Sequence, residues 1–277
     1  MSNTATVLAF DFGASSGRAI RAVYDGQNLT YEEIHRFENV PIEKGGHLFW
    51  DVETLLKEIH TAIQKAGTFD SLGFDTWGVD FGLLDTDGHL LANPVHYRDA
   101  RTNGKPEQAA ACMPAEELYA HTGNQIMAIN TLFQLLALQE QEPELLQKAE
   151  QILFMPDLFA ALLGAEPVCE RSIASTSQML DPRTGQWSRE VLTAYGLKEN
   201  HFAPLVASGT VTGTLTTGAK IIAVAGHDTQ CASAAMPCAE EDAEHTTELV
   251  QSKCGSSVEV SHIHGGQPVY YYMLSVE

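Results

Sequence analysis

The stretch ATVLAFDFGASSGRAIRAVY, residues 5–24, constrains the fold more than any other. Two apolar runs, 5–12 and 18–24, flank a Gly/Ser turn that leaves no room for a helix, so the spacing predicts a β-hairpin. That excludes the strand-to-helix phosphate loops, and neither G-x-x-x-x-G-K-[ST] nor G-x-G-x-x-G is matched. The turn still carries groups suited to an anion. Gly13 and Gly17 are expected to allow positive φ and close backbone approach. Ser15 and Ser16 add hydroxyls, Arg18 a fixed charge, and backbone N–H groups in such a turn can face phosphate oxygens. Asp11, at the strand end, is placed to hold a hydrated magnesium ion. The plain alternative is a tight turn with no ligand.

Further strand signals lie in LTYEEIHRF and GHLFWD. Asp51 stands at an N-cap position before Val52, Leu55, Leu56, Ile59 and Ile63, which follow helical spacing. SLGFDTWGVDFGLLDTDGHLL holds two apolar runs on either side of 76–78, with Asp87-Gly88 as a turn signal. Residues 109–149 read as mostly helical, with Leu132, Leu135, Leu136 and Leu138 as the apolar stripe and Pro143 as a break. REVLTAYG ends a helix at Gly196. KIIAVAGHDTQCASAAM reads as a strand, a tight turn and a helix of small residues. Sheet and helix signals alternate as in a mixed α/β domain.

Composition narrows the partners. Lys and Arg total 16 against 36 Asp and Glu, a formal charge of −20, and such a surface repels nucleic-acid backbones and anionic membranes. An anionic ligand must therefore be held by local N–H groups, a few cations or a metal. Five cysteines, odd in number and without C-x-x-C spacing, suggest neither a disulfide framework nor a zinc knuckle. With no signal-like opening segment, a cytoplasmic location is expected.

Two more stretches carry chemistry. In GHDT, Asp228 follows an apolar strand and could accept a proton from a hydroxyl nucleophile, with His227 and Thr229 as hydrogen-bonding neighbours; the alternative is a helix cap near Gln230. In DTWGVDFG, Trp77 beside Gly78 offers an apolar face and open backbone to a sugar, while Asp75 and Asp80 could accept from hydroxyls; the alternative is a buried Trp in a strand pair. YRDARTNG gathers Arg98 and Arg101 around Asp99, as a structural ion pair would. HIHGG and Cys254 give only a weak metal signal.

In this order, DFGASSGR, EEIHRF, FWDVETL, DTWGVDFGLLD, YRDARTNG, MPDLF, STSQMLD and AGHDT resemble the amino-terminal half of sugar kinases of the FGGY carbohydrate kinase family. DTWGVDF and YRDARTNG point to the branch that phosphorylates L-rhamnulose. The resemblance runs from about residue 6 to about residue 238 and implies an α/β actin-like ATPase (ribonuclease H-like) fold, the first of two domains flanking a cleft. It also implies transfer of the ATP γ-phosphate to the 1-hydroxyl of L-rhamnulose. By this resemblance Asp228 is the general base, and Gly78, His227 and Thr229 contact the sugar, with Trp77 beside them. Ala14, Ser15, Ser16, Gly17 and Arg18 would lie against the ATP phosphates, and Asp11 near magnesium.

After residue 238 the family pattern ends, and 239–277 reads as a divergent tail in place of the second, nucleotide-binding domain. The expected alternative to an active kinase is therefore a truncated remnant that folds and at most binds sugar weakly. A cleft face without its covering domain is expected to favour self-association.

Overall fold

The computed structural model describes residues 4–234. The tail assigned to 239–277 lies outside the described residues.

The predicted hairpin is present. Strand β1 (Ala5–Phe12) pairs antiparallel with β2 (Ser16–Tyr24), and β2 with β3 (Leu29–Glu38). A short ribbon of β4 (Ile42–Lys44) and β5 (His47–Phe49) leads into α1 (Val52–Ala66). Asp51 caps α1 as expected, its Oδ1 accepting from Thr54 N–H at 3.1 Å; such a cap contributes about 1 kcal/mol. The helix buries Val52, Leu55, Ile59 and Ala62 and delivers the chain to β6 (Ser71–Thr76), which pairs with β1 in parallel.

The next elements form a helical layer and one small two-stranded ribbon. They are β7 (Phe81–Leu84), α2 (Lys105–Ala109), α3 (Ala115–Thr122), α4 (Thr131–Gln141), α5 (Pro143–Lys148), β8 (Gln151–Phe154) and α6 (Met155–Leu162). The break predicted at Pro143 separates α4 from α5, because the ring cannot donate the helical N–H. Then come β9 (Cys169–Glu170), α7 (Arg171–Ser175), β10 (Leu180–Asp181), β11 (Gln186–Trp187), α8 (Arg189–Ala194) and β12 (Leu205–Val206). Gly196, at φ 64°, ends α8 as expected. Strands β13 (Thr210–Thr214) and β14 (Lys220–Ala223) complete the main sheet, and α9 (Asp228–Ala234) follows.

The six-stranded sheet has the order β13-β14-β6-β1-β2-β3, with β14, β6 and β1 parallel at its centre. Phe10, Phe12, Phe74 and Phe159 lock α6 onto this centre. Phe10 stacks on Phe74 and Phe12 on Phe159, each at 4.8 Å between ring centroids. Full burial of such a side chain stabilises by about 1.5–3 kcal/mol, so this cluster is a main anchor of the sheet.

The opening turn differs from expectation in one respect. Neither Gly13 nor Gly17 has positive φ. Gly17 is required for space: a Cβ there would lie 2.3 Å from Phe37 Cζ, because the Phe37 ring rests on the glycine backbone. Gly17→Ala is therefore expected to cost about 1–3 kcal/mol through overpacking, read as a lower urea midpoint. A midpoint equal to wild type would show that Phe37 turns aside freely.

Candidate active site

The three central strands are parallel, so their carboxyl ends open at one edge, where α/β sheets place ligands. Asp11 on β1 and Asp75 on β6 are register partners. Beyond β14 the chain stays beside β6: Thr76 N–H donates to Gly226 O at 3.0 Å, and Thr76 bridges His227 in parallel. Asp228 follows at once. Asp11, Asp75 and Asp228 thus face one another across adjacent strand ends. Burial, then the Asp11 and Asp228 carboxylates, push the Asp75 carboxyl well above the usual range.

Asp228 opens α9, and one of its oxygens is fixed. Oδ1 accepts from Thr229 N–H at 2.6 Å and from the Thr229 hydroxyl at 3.1 Å, while Oδ2 has no protein partner among the described residues. The carboxyl is therefore oriented by Thr229 and has one oxygen open, whereas the N–H groups of Gln230 and Cys231 go to His227 O, so the Asp228 side chain is not the helix cap that the alternative reading expected. His227 Nε2 lies 3.4 Å from Asp228 Oδ1 and 3.5 Å from Thr229 Oγ1. Burial pushes the His227 imidazole below its ordinary range, which keeps it neutral. Its Nδ1 is buried without a partner. A buried N–H without an acceptor costs more than an unused lone pair, which favours the tautomer carrying its proton on Nε2, toward the open edge. Gly78 faces the same space: a Cβ there would stand 3.4 Å from His227 Nε2 and 3.2 Å from Thr176 Cγ2.

The opening turn meets this edge from β1. Arg18 Nε and Nη2 both reach Asp11 Oδ2, at 2.7 and 2.6 Å, so the guanidinium is anchored on the carboxylate. Asp11 Oδ1 has no protein partner among the described residues, which fits a hydrated divalent cation beside an already crowded negative field. Gly13 N–H is used by Ser16 O, and Asn39 Nδ2 donates to Gly13 O. The amides of Ala14 and Ser15 have no protein partner among the described residues and are the groups the turn offers an anion. Gly17 is buried under Phe37, and Ser16 belongs to β2.

Two residues expected to meet the sugar, Trp77 by its apolar face and Asp80 by accepting from hydroxyls, are placed otherwise. Trp77 is 7 % exposed, with its ring stacked on Trp50 at 3.8 Å, so it offers no open apolar face. Asp80 is sealed: Oδ2 accepts from Trp50 Nε1 at 2.6 Å, Trp77 Nε1 at 3.0 Å and Tyr97 N–H at 3.1 Å, and Oδ1 from Gln134 Nε2 at 2.8 Å. The Arg-Asp cluster also differs. Asp99 pairs with His47 at 3.0 Å, Arg101 Nη2 donates to Gln134 Oε1 at 3.1 Å, and Arg98 lies over the Tyr97 ring.

Glu170 and Thr176 escaped the sequence reading. Glu170, 1 % exposed, accepts from Gly226 N–H at 3.2 Å and so steadies the approach to Asp228. Thr176 Oγ1 accepts from Val79 N–H at 3.1 Å.

Residues 6–235 match the FGGY family of carbohydrate kinases, N-terminal domain. The chain is 40% identical over 248 residues to a rhamnulokinase of Bacteroides thetaiotaomicron, covering 85% of this chain and 51% of that protein. It is 38% identical over 252 residues to one of Enterococcus faecalis, covering 86% and 50% respectively. Among solved structures, a carbohydrate kinase from Novosphingobium aromaticivorans superposes with a TM-score of 0.72 at 20% identity, over 87% of this chain and 52% of that one. A xylulose kinase from Lactobacillus acidophilus gives 0.71 at 18%, over 83% and 50%. The chain thus spans about half the length of these proteins and has the fold of the first domain of a two-domain sugar kinase, the actin-like ATPase fold that the motifs implied. A match running from β1 into α9 through every strand end of the open edge leaves one conclusion: this chain belongs to the FGGY family of carbohydrate kinases.

Proposed function

We propose that the chain takes part in ATP-dependent phosphorylation of L-rhamnulose to L-rhamnulose 1-phosphate, with Asp228 as the proton acceptor. The observation that carries this reading is the open Oδ2 of Asp228 beside Gly78 and the neutral His227, in a chain similar over most of its length to rhamnulokinases. A sugar hydroxyl is a poor nucleophile at neutral pH, and Asp228 Oδ2 would take its proton as the new P–O bond forms. Thr229 keeps that carboxylate oriented through Oδ1. His227 Nε2–H would donate to a sugar oxygen, and the missing side chain at Gly78 leaves the sugar room.

Magnesium-ATP, when bound, supplies the phosphoryl group and neutralises charge on its oxygens. Asp11 Oδ1 would hold the hydrated cation, and the amides of Ala14 and Ser15 would face the phosphates. Ser16, Gly17 and Arg18 frame that turn, with Arg18 working through its pair with Asp11. Among the described residues, no helix is long and apolar enough to cross a membrane.

The test is ADP release by the full chain with magnesium-ATP, alongside calorimetric titration with L-rhamnulose, D-xylulose and gluconate. The expected result is binding and turnover with L-rhamnulose in preference to the other two. Sugar binding without ADP release would favour the alternative, a chain that folds and binds sugar without turning it over. No binding of L-rhamnulose by folded protein would overturn the assignment of the sugar.

A further inference from the structure

Val79, at φ 69°, and Gln178, at φ 66°, are the non-glycine residues with positive φ among those described, and both are buried. A β-branched residue holds that conformation only where its surroundings enforce it. Around Val79 they do. Asp80 N–H donates to Gly78 O at 2.9 Å, closing a tight three-residue turn centred on Val79. Thr131 Oγ1 donates to Val79 O at 2.6 Å. Thr176 Oγ1 accepts from Val79 N–H and donates its own proton to Ile173 O at 2.8 Å.

Thr176 directly follows α7. At the other end of this short helix Glu170 Oε2 accepts from Ser172 N–H at 2.9 Å, Ile173 N–H at 3.2 Å and Gly226 N–H at 3.2 Å, while Oε1 accepts from Ser208 Oγ at 2.6 Å. A Cβ on Gly226 would meet Ile173 Cβ at 3.4 Å, so α7 also packs directly on the strand extension that carries His227 and Asp228. One helical turn therefore grips the Gly78 corner at one end and the Asp228 loop at the other.

We propose that α7 is a brace that sets the spacing between Gly78 and Asp228, with Thr176 and Glu170 as its positioning residues. Its functional meaning rests on the sugar-site reading above, whereas its mechanical part does not. Thr176→Val keeps the shape and removes the acceptor for Val79 N–H; Thr176→Ser keeps the acceptor. Amide hydrogen exchange in the sugar-free chain should speed up at Val79 by about 10-fold in the Val variant and stay within about threefold of wild type in the Ser variant. L-Rhamnulose affinity should follow the same split. Glu170→Gln should speed exchange at Gly226 and at Val79 together, because the two ends share one helix, and it decides the case should Thr176→Val fail to fold. Unchanged exchange at Val79 in Thr176→Val, or an effect of Glu170→Gln confined to Gly226, would overturn the brace. Loosened exchange with unaltered sugar affinity would overturn its link to binding. A wild-type chain that binds no L-rhamnulose would count against the sugar reading alone, and the exchange results would still decide the brace.

Discussion

Asp228→Asn is expected to lower phosphoryl transfer to L-rhamnulose by about 10²- to 10⁴-fold, the range for loss of a positioned general base. The variant separates chemistry from architecture. Asparagine retains an oxygen at Oδ1, so the hydrogen bond from Thr229 N–H at 2.6 Å and the start of α9 survive. What disappears is the basic oxygen at Oδ2, the one without a protein partner among the described residues. ADP release should therefore collapse through kcat while L-rhamnulose affinity, measured by calorimetry, stays close to wild type. Turnover that persists in Asp228→Asn would move the base elsewhere. Asp75, the register partner of Asp11 at the same strand ends, would then be the next carboxyl to test.

The parts of this site legible in the sequence are those carried by contiguous residues. The hairpin around Asp11, the cap at Asp51 and the strand-turn-helix of KIIAVAGHDT all rest on local patterning, and all are present. Contacts between distant segments were not legible. Thr176 meets Val79 across 97 positions and Glu170 meets Gly226 across 56, and no spacing rule links them. The polar run STSQ, ending a five-residue helix, was the available signal near Thr176; its meaning depends on a strained turn that only the folded chain reveals. Gly17 shows the converse. A glycine in a turn suggested backbone freedom, whereas the ring of Phe37, from another strand, is what excludes a side chain there. Trp77 and Asp80 misled for a related reason. Residues with sugar-binding chemistry next to Gly78 are consumed by Trp50, Tyr97 and Gln134, which arrive from three separate segments.

That sealed cluster sets the largest stability effect expected. Asp80→Ala would leave the indole N–H groups of Trp50 and Trp77, the amide N–H of Tyr97 and the Gln134 amide facing a void where an acceptor stood. Buried donors stranded in this way cost about 1–3 kcal/mol each before relaxation, so a net loss of about 3–5 kcal/mol is expected. Against a typical domain stability of about 5–15 kcal/mol, the variant would sit near unfolding. Asp80→Asn is milder and isolates the charge. Burial pushes the Asp80 carboxyl up to about 7, against the pull of the donors from Trp50, Gln134, Tyr97 and Trp77. The folded state thus holds the proton more tightly than the unfolded chain, whose carboxyl titrates near 3.8. The stabilisation tied to that proton is complete below about pH 4, declines as pH rises toward about 7, and is flat above it. The stability advantage of wild type over Asp80→Asn should fall across that window, as read from urea midpoints at successive pH values. A constant advantage from pH 4 to 8 would mean that the ring of donors keeps Asp80 ionised throughout, and that these hydrogen bonds outweigh burial at the centre of the cluster.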